Sequence, residues 1–149
     1  MKIYIGADHA GFLLKEELKK ILETEGHEVE DFGAFKLDPK DDYPDFVIPV
    51  AKAVSLNTRS LGIVLGGSGQ GEAITANKII GIRSAVYYGG SLDIVRLSKE
   101  HNSANVLSLG ARFINLDEAK EAVRTFIETP FLREERHIRR LDKVEKILR

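Results

Sequence analysis

Short runs of apolar and β-branched residues alternate along the chain with longer stretches in which apolar residues recur every three or four positions. The runs predict strands at 2–6, 27–31, 61–65, 83–87 and 105–109. Helical spacing follows each of them. It is carried by Phe12, Leu14, Leu18, Ile21 and Leu22, stopped by Gly26, then by Val47, Val50, Ala51 and Val54, then by the stretch after Gly71. It resumes with Leu92, Val95 and Leu97, and again with Ala119, Val123, Phe126 and Ile127, which Pro130 terminates. Five strand–helix units predict an α/β chain: a doubly wound, three-layer α/β/α, Rossmann-like fold around a five-stranded parallel sheet. Residues 133–149 return to helical spacing with Ile138, Leu141, Val144 and Leu148, but no strand follows. They are expected to form a C-terminal helical extension of one domain spanning 1–149. Its apolar stripe must pack on its own sheet layer or on a partner subunit.

Composition narrows the function classes. A chain of 149 residues with 43% hydrophobic and 30% charged positions can bury a core and is neither disordered, fibrous nor membrane-spanning. The complete lack of cysteine excludes disulfides, thiolate metal sites and thiol nucleophiles. A formal charge of -1 argues against a partner such as nucleic acid or an anionic membrane held by a global field. Asp8 and His9 interrupt the apolar N-terminus before a signal-peptide core could form, so a cytoplasmic location is expected.

Ligands of doubly wound sheets gather at the carboxyl ends of the strands. After the first strand comes Gly6-Ala7-Asp8-His9-Ala10-Gly11, after the third Gly66-Gly67-Ser68-Gly69-Gln70-Gly71-Glu72, and after the fifth Gly110-Ala111-Arg112. The glycine run fails the dinucleotide fingerprint, because position 72 is Glu, and fails the P-loop pattern, because no lysine follows Gly71. Asp31, at the end of the second strand, reads as a turn residue and not as a ribose ligand. What remains is a strand, a glycine turn and a helix start, where several N–H groups can converge on one anionic oxygen with the Ser68 hydroxyl beside them. Glu72 stands in the first turn of that helix, and burial in a cleft would raise its pKa. A base beside an oxyanion nest can take a proton next to a carbonyl and hold the enediolate. The plainer alternative is a helix-capping glutamate after a tight turn.

The remaining polar groups carry the same double reading. Asp8 and His9 suit substrate hydroxyls or proton transfer, or Asp8 is simply a cap. His101 and Asn102 end the fourth helix, where a histidine can act as acid or base or merely complement the helix dipole. No chemistry is expected of His27. Residues 133–149 carry a net +3 against -4 for the rest, and Arg136, Arg140 and Lys143 share one helix face. Paired arginines suit a phosphate, although a solvated charged helix has the same pattern.

Taken together with Asp42-Tyr43-Pro44-Asp45, Ala76-Asn77-Lys78, Gly81-Ile82-Arg83, Glu100-His101-Asn102 and Arg136-His137-Ile138-Arg139-Arg140, these motifs resemble the ribose-5-phosphate isomerase B family almost end to end. That family belongs to a wider sugar-phosphate isomerase group that includes galactose-6-phosphate isomerase subunits. The resemblance implies interconversion of D-ribose 5-phosphate and D-ribulose 5-phosphate, a step of the pentose phosphate pathway, through a cis-enediolate. One branch of the family uses a loop cysteine as base and another a glutamate six residues after the loop's first glycine. This chain is similar to the second, with Glu72 as base.

The resemblance further implies that His101 opens the sugar ring, that Asp8, His9 and Asn102 contact the sugar, and that Tyr43 lines the pocket. Gly67, Ser68, Gly69, Gln70 and Gly71 would cradle the enediolate, and Arg112, Arg136, His137 and Arg140 would hold the phosphate. No metal or organic cofactor is implied. The expected partner is a second copy: a homodimer, with a tetramer as the alternative, and an active site at the subunit interface. Ser103 departs from the asparagine of many relatives and leaves the preferred sugar open. A hexose-6-phosphate isomerase acting on allose or galactose 6-phosphate, a non-catalytic phosphosugar-binding module and an interaction domain built on the last helix are the competing expectations.

Overall fold

The computed structural model describes residues 1–148. Its five strands, β1 (Lys2–Ala7), β2 (Glu28–Asp31), β3 (Leu61–Gly66), β4 (Ser84–Tyr87) and β5 (Val106–Gly110), pair in parallel in the order β2-β1-β3-β5-β4. Every strand begins and ends within one residue of its expected position. The central strands β3 and β5 are buried at every residue, because helices cover both faces, and so β3 reads as an unbroken apolar run and β5 as one interrupted only by Ser108. At the edge, β2 alternates exposed Glu28 and Glu30 with half-buried Val29 and Asp31.

The helices are α1 (Phe12–Thr24), α2 (Pro44–Leu56), α3 (Gln70–Ala76), α4 (Asp93–Asn102), α5 (Leu116–Glu128) and α6 (Glu135–Glu145). A 3-10 turn over Lys146–Leu148 follows α6, and Arg149 of the expected extension lies outside the described residues. Helices α1, α4 and α5 lie against one face of the sheet, over a core of Ile3, Ile5, Leu18, Leu22, Ile63, Leu107 and Phe126. Helices α2 and α3 cover the other, over Val47, Val50, Val54, Val64 and Val106. A capping box, in which Asn115 and Glu118 exchange side-chain and backbone bonds, opens α5. Among the described residues no helix is long and apolar enough to cross a membrane.

One expectation, on Leu97, needs correction, and two features of the helices, on α6 and α1, stand beside it. Leu97 is exposed, because the buried side of α4 runs through Val95 and Ser98 and Leu97 points two positions away from it. The α6 stripe is only partly covered: Leu141 is half-buried while Ile138 and Val144 stay exposed, and the buried residue of this helix is His137. In α1 the residue that meets the sheet beside Leu18 and Leu22 is Lys15, which is 0% exposed. Its Nζ lies 2.6 Å from Asp31 Oδ2 at the end of β2. Asp31 is also the expected turn residue, since its Oδ1 accepts the Gly33 N–H at 2.8 Å.

The strand order reverses its direction of growth between β1 and β3. At the carboxyl ends of this pair, Ala7 lies beside Leu65, so the loops carrying Asp8 and Gly66 open into one crevice.

Candidate active site

A cleft of about 370 Å³ opens at that point, lined by Asp8, His9, Tyr43, Gly67, Ser68, Gly71, Glu72 and Arg112, with Ala10 and Phe113. The glycine loop is bolted to β5. The amides of Ala111 and Arg112 donate to the carbonyls of Gly66 and Gly67 at 2.8 and 3.1 Å, and Ser108 Oγ donates to Gly69 O at 2.6 Å. Gly69 turns the chain into α3 at φ +78°, a left-handed conformation that side chains other than glycine adopt only with strain. At the α3 start, where first-turn N–H groups have no helical partner, the Gln70 N–H is taken by Ser68 Oγ at 3.3 Å.

Glu72 is 3% exposed. Its carboxylate folds back over Gly66, in the space that a β-carbon on residue 66 would need, so the glycine is what admits this rotamer. Burial pushes the Glu72 pKa up, the neighbouring Asp8 carboxylate adds to that, and its own backbone N–H pulls the other way. A buried carboxyl group of raised basicity, set beside a glycine-rich loop at a helix start, is equipped to accept a proton from carbon.

Asp8 is not the N-cap of α1, a place taken by Gly11, but it shapes the turn before that helix. Its Oδ1 accepts the N–H groups of Ala10 and Gly11 at 2.9 and 3.3 Å, which turns the chain into α1, while the buried side chain still lines the cleft. His9 Nδ1 lies 2.6 Å from Asp41 Oδ1, and this partner raises the His9 pKa. Tyr43, before α2, packs on Gly71. Asp8, His9 and Asp41 bring three potential metal-ligand atoms within 4.8 Å of one another. Two of those residues are already bonded to each other and the third to backbone amides, so the cluster reads as a hydrogen-bonded wall.

Other predicted site residues lie elsewhere. Gln70 is exposed, with its amide on Ser68 Oγ at 3.3 Å, and Gly69 is buried under the loop; neither lines the cleft. His101 and Asn102 end α4 just before β5 begins, at the amino ends of the strands, whereas the cleft is at the carboxyl ends. The five residues of β5 separate the two edges by ~16 Å at about 3.3 Å per residue. Within a single chain His101 and Asn102 therefore do not line the cleft with Glu72.

His101 has company of its own. Its ring stacks on His137 with centroids 4.3 Å apart and planes at 16°. His137 is 2% exposed, and burial lowers its pKa, helped by His101 and by Arg136 and Arg140. Arg83 ties this second cluster together: its Nε donates to the carbonyls of Asn102 and Ser103 at 3.0 Å, and its Nη1 reaches Glu145 on α6 at 2.6 Å. The chain thus carries two separate polar clusters, one with Glu72, Arg112 and His9, the other with His101, His137, Arg136 and Arg140.

The family model described as Ribose/Galactose Isomerase matches residues 3–144. The chain belongs to this family. Relatives of the ribose/galactose isomerase chain include the ribose-5-phosphate isomerase B of Mycolicibacterium paratuberculosis, 45% identical over 142 residues that cover 95% of this chain and 88% of the relative. Among solved structures, ribose-5-phosphate isomerase B of Clostridium thermocellum superposes with a TM-score of 0.92 at 43% identity, covering 99% and 97% of the two chains. That of Mycoplasma genitalium, solved with bound ribulose 5-phosphate, gives 0.93 at 37% identity, covering 98% and 95%.

One residue that lines this isomerase's cleft, Phe113, and one that borders it through His9, Asp41, escape a sequence reading. Phe113 follows Arg112 directly and shares its loop, so its neighbour was the available signal. Asp41 belongs to an acidic, aperiodic connection between β2 and α2, and nothing in the spacing there separates it from Asp38 or Asp42.

Proposed function

We propose that this isomerase interconverts D-ribose 5-phosphate and D-ribulose 5-phosphate with Glu72 as the base. The observation that carries the reading is the buried Glu72 carboxylate, its basicity raised, turned over Gly66 toward the crevice between β1 and β3. Once the ring is opened, Glu72 takes the proton on C2, and the electron pair forms the C1–C2 double bond of a cis-enediolate. The loop N–H groups of Gly67 to Gly71 and the Ser68 hydroxyl stabilise the negative oxygen. The proton then returns to C1, while the hydroxyl proton passes from O2 to O1, leaving the ketose. Asp8 and Tyr43 hold sugar oxygens.

Arg112 and His9 supply positive charge for the phosphate from this chain. His101 as ring opener, Asn102, Arg136, His137 and Arg140 reach the cleft from a second copy, in a homodimer or a tetramer built of such dimers. That assembly is what the separation of the two clusters within one chain supports. Residues 133–149 are then part of one domain and also its subunit contact. A small soluble substrate suits a cytoplasmic enzyme.

The test is turnover of ribose 5-phosphate, run beside allose and galactose 6-phosphates. Glu72→Gln is expected to lower kcat by about 10²–10⁴-fold with KM little changed. Full activity in that variant removes Glu72 as the base.

A further inference from the structure

The connection between β2 and α2 brings Asp41 over the start of α1, where it meets His9. One carboxylate oxygen, Oδ1, accepts both the backbone N–H of His9 at 3.0 Å and the ring Nδ1–H at 2.6 Å. Two bonds from one residue to one atom lock the imidazole against rotation about both of its side-chain torsions. The same bonds assign the ring: Nδ1 is the protonated nitrogen facing Asp41, and Nε2 is the one left for a ligand. The Asp41 side chain is 10% exposed, and its Oδ2 is buried with no hydrogen-bond partner among the described residues. His9 is therefore the group that compensates a carboxylate largely removed from water.

We infer that Asp41 is a positioning residue of the isomerase, fixing the orientation of the His9 ring so that Nε2 is presented to the substrate. The inference rests on the reading of His9 as a substrate contact. Its chemical consequence concerns the phosphate. The charged groups around His9 are Asp41 and Asp8, which favour the imidazolium, and Arg112, which opposes it, with Glu72 across the cleft. Asp41 outweighs Arg112, and the balance raises the His9 pKa. His9 and Arg112 then stand as two cations on one wall, which matches a phosphate dianion. Without Asp41, the Arg112 charge would favour neutral His9.

The experiment combines kinetics with NMR titration of the His9 ring, assigned with His9→Gln. Wild-type His9 is expected to titrate above the ordinary histidine value of about 6.5, and Asp41→Asn, which keeps the shape but removes the charge, to bring it back toward that value. The same variant is expected to raise KM for ribose 5-phosphate about tenfold with kcat changed by less than about twofold. A merely structural Asp41 would alter the melting temperature and leave both the titration and KM in place, and that result overturns the inference. Wild-type titration at or below the ordinary value overturns it too, and needs no variant to fold. An unchanged KM in His9→Gln overturns the substrate contact itself, with the Asp41-dependent titration shift still present, so the two failures are told apart.

Discussion

Glu72 shows what a buried carboxylate costs the fold. A carboxylate kept 3% exposed, beside a second carboxylate, binds its proton more tightly in the native state than in the unfolded chain. By linkage, its contribution to stability is fully present below the unfolded carboxylate pKa, about 4.3, and is lost as pH rises through the elevated native value. Above the unfolded carboxylate pKa, burying this side chain therefore destabilises the protein. Glu72→Gln, neutral at every pH, is expected to melt at a higher temperature than wild type at pH 7, with the gap closing as pH falls below about 4. Melting curves across that range check it, and a gap that does not change with pH would mean that burial does not tax the charge. With Glu72 as the base proposed above, kcat/KM is expected to rise with pH through a value above the ordinary carboxylate range, because only the ionised form accepts the proton.

At the level of elements, the first helix is held to the edge strand by an ion pair from which water is excluded. Lys15 reaches Asp31 from inside the layer, with Lys19 farther off at 3.4 Å, while the rings of Phe12 and Phe35 lie 5.6 and 5.9 Å from the ammonium. Removing one partner leaves a buried carboxylate. Lys15→Met is expected to destabilise the protein by about 3–5 kcal/mol in denaturant titrations, and a loss below about 1 kcal/mol would mean that Lys19 takes over the carboxylate. Elements of this sheet are legible in sequence because strands buried on both faces appear as short apolar runs and their helices as a single stripe. Lys15 is the kind of residue such a reading passes over. It occupies the buried face by spacing, at three positions before Leu18, but carries a charge whose partner is sixteen residues away in the chain. Asp41 fails for another reason: irregular connections have no period, and its partner His9 is thirty-two residues distant.

At the level of the whole molecule, the loops after β1, β3 and β5 were legible as one site because topology alone brings those strand ends together. The residues His101 and Arg136 were equally visible as chemistry, but chemistry does not say which edge of the sheet a residue occupies. A helix that precedes β5 must end at the amino edge, so His101 is held with His137 behind the sheet from Glu72. If two copies each lend one half-site to the other, then a chain defective in one half can be completed by a chain defective in the other. Glu72→Gln and His101→Ala, each inactive alone, are expected to recover activity when unfolded and refolded together or co-expressed. With random pairing about half the dimers are mixed, and each mixed dimer has one site with both wild-type groups and one with neither, so recovery tends to about a quarter of wild type. Separately assembled dimers mixed without exchange supply the zero point. Absence of recovery in mixed dimers, verified by a tag on one chain, would place His101 outside the catalytic reaction, because the half-sites of one chain lie too far apart to cooperate.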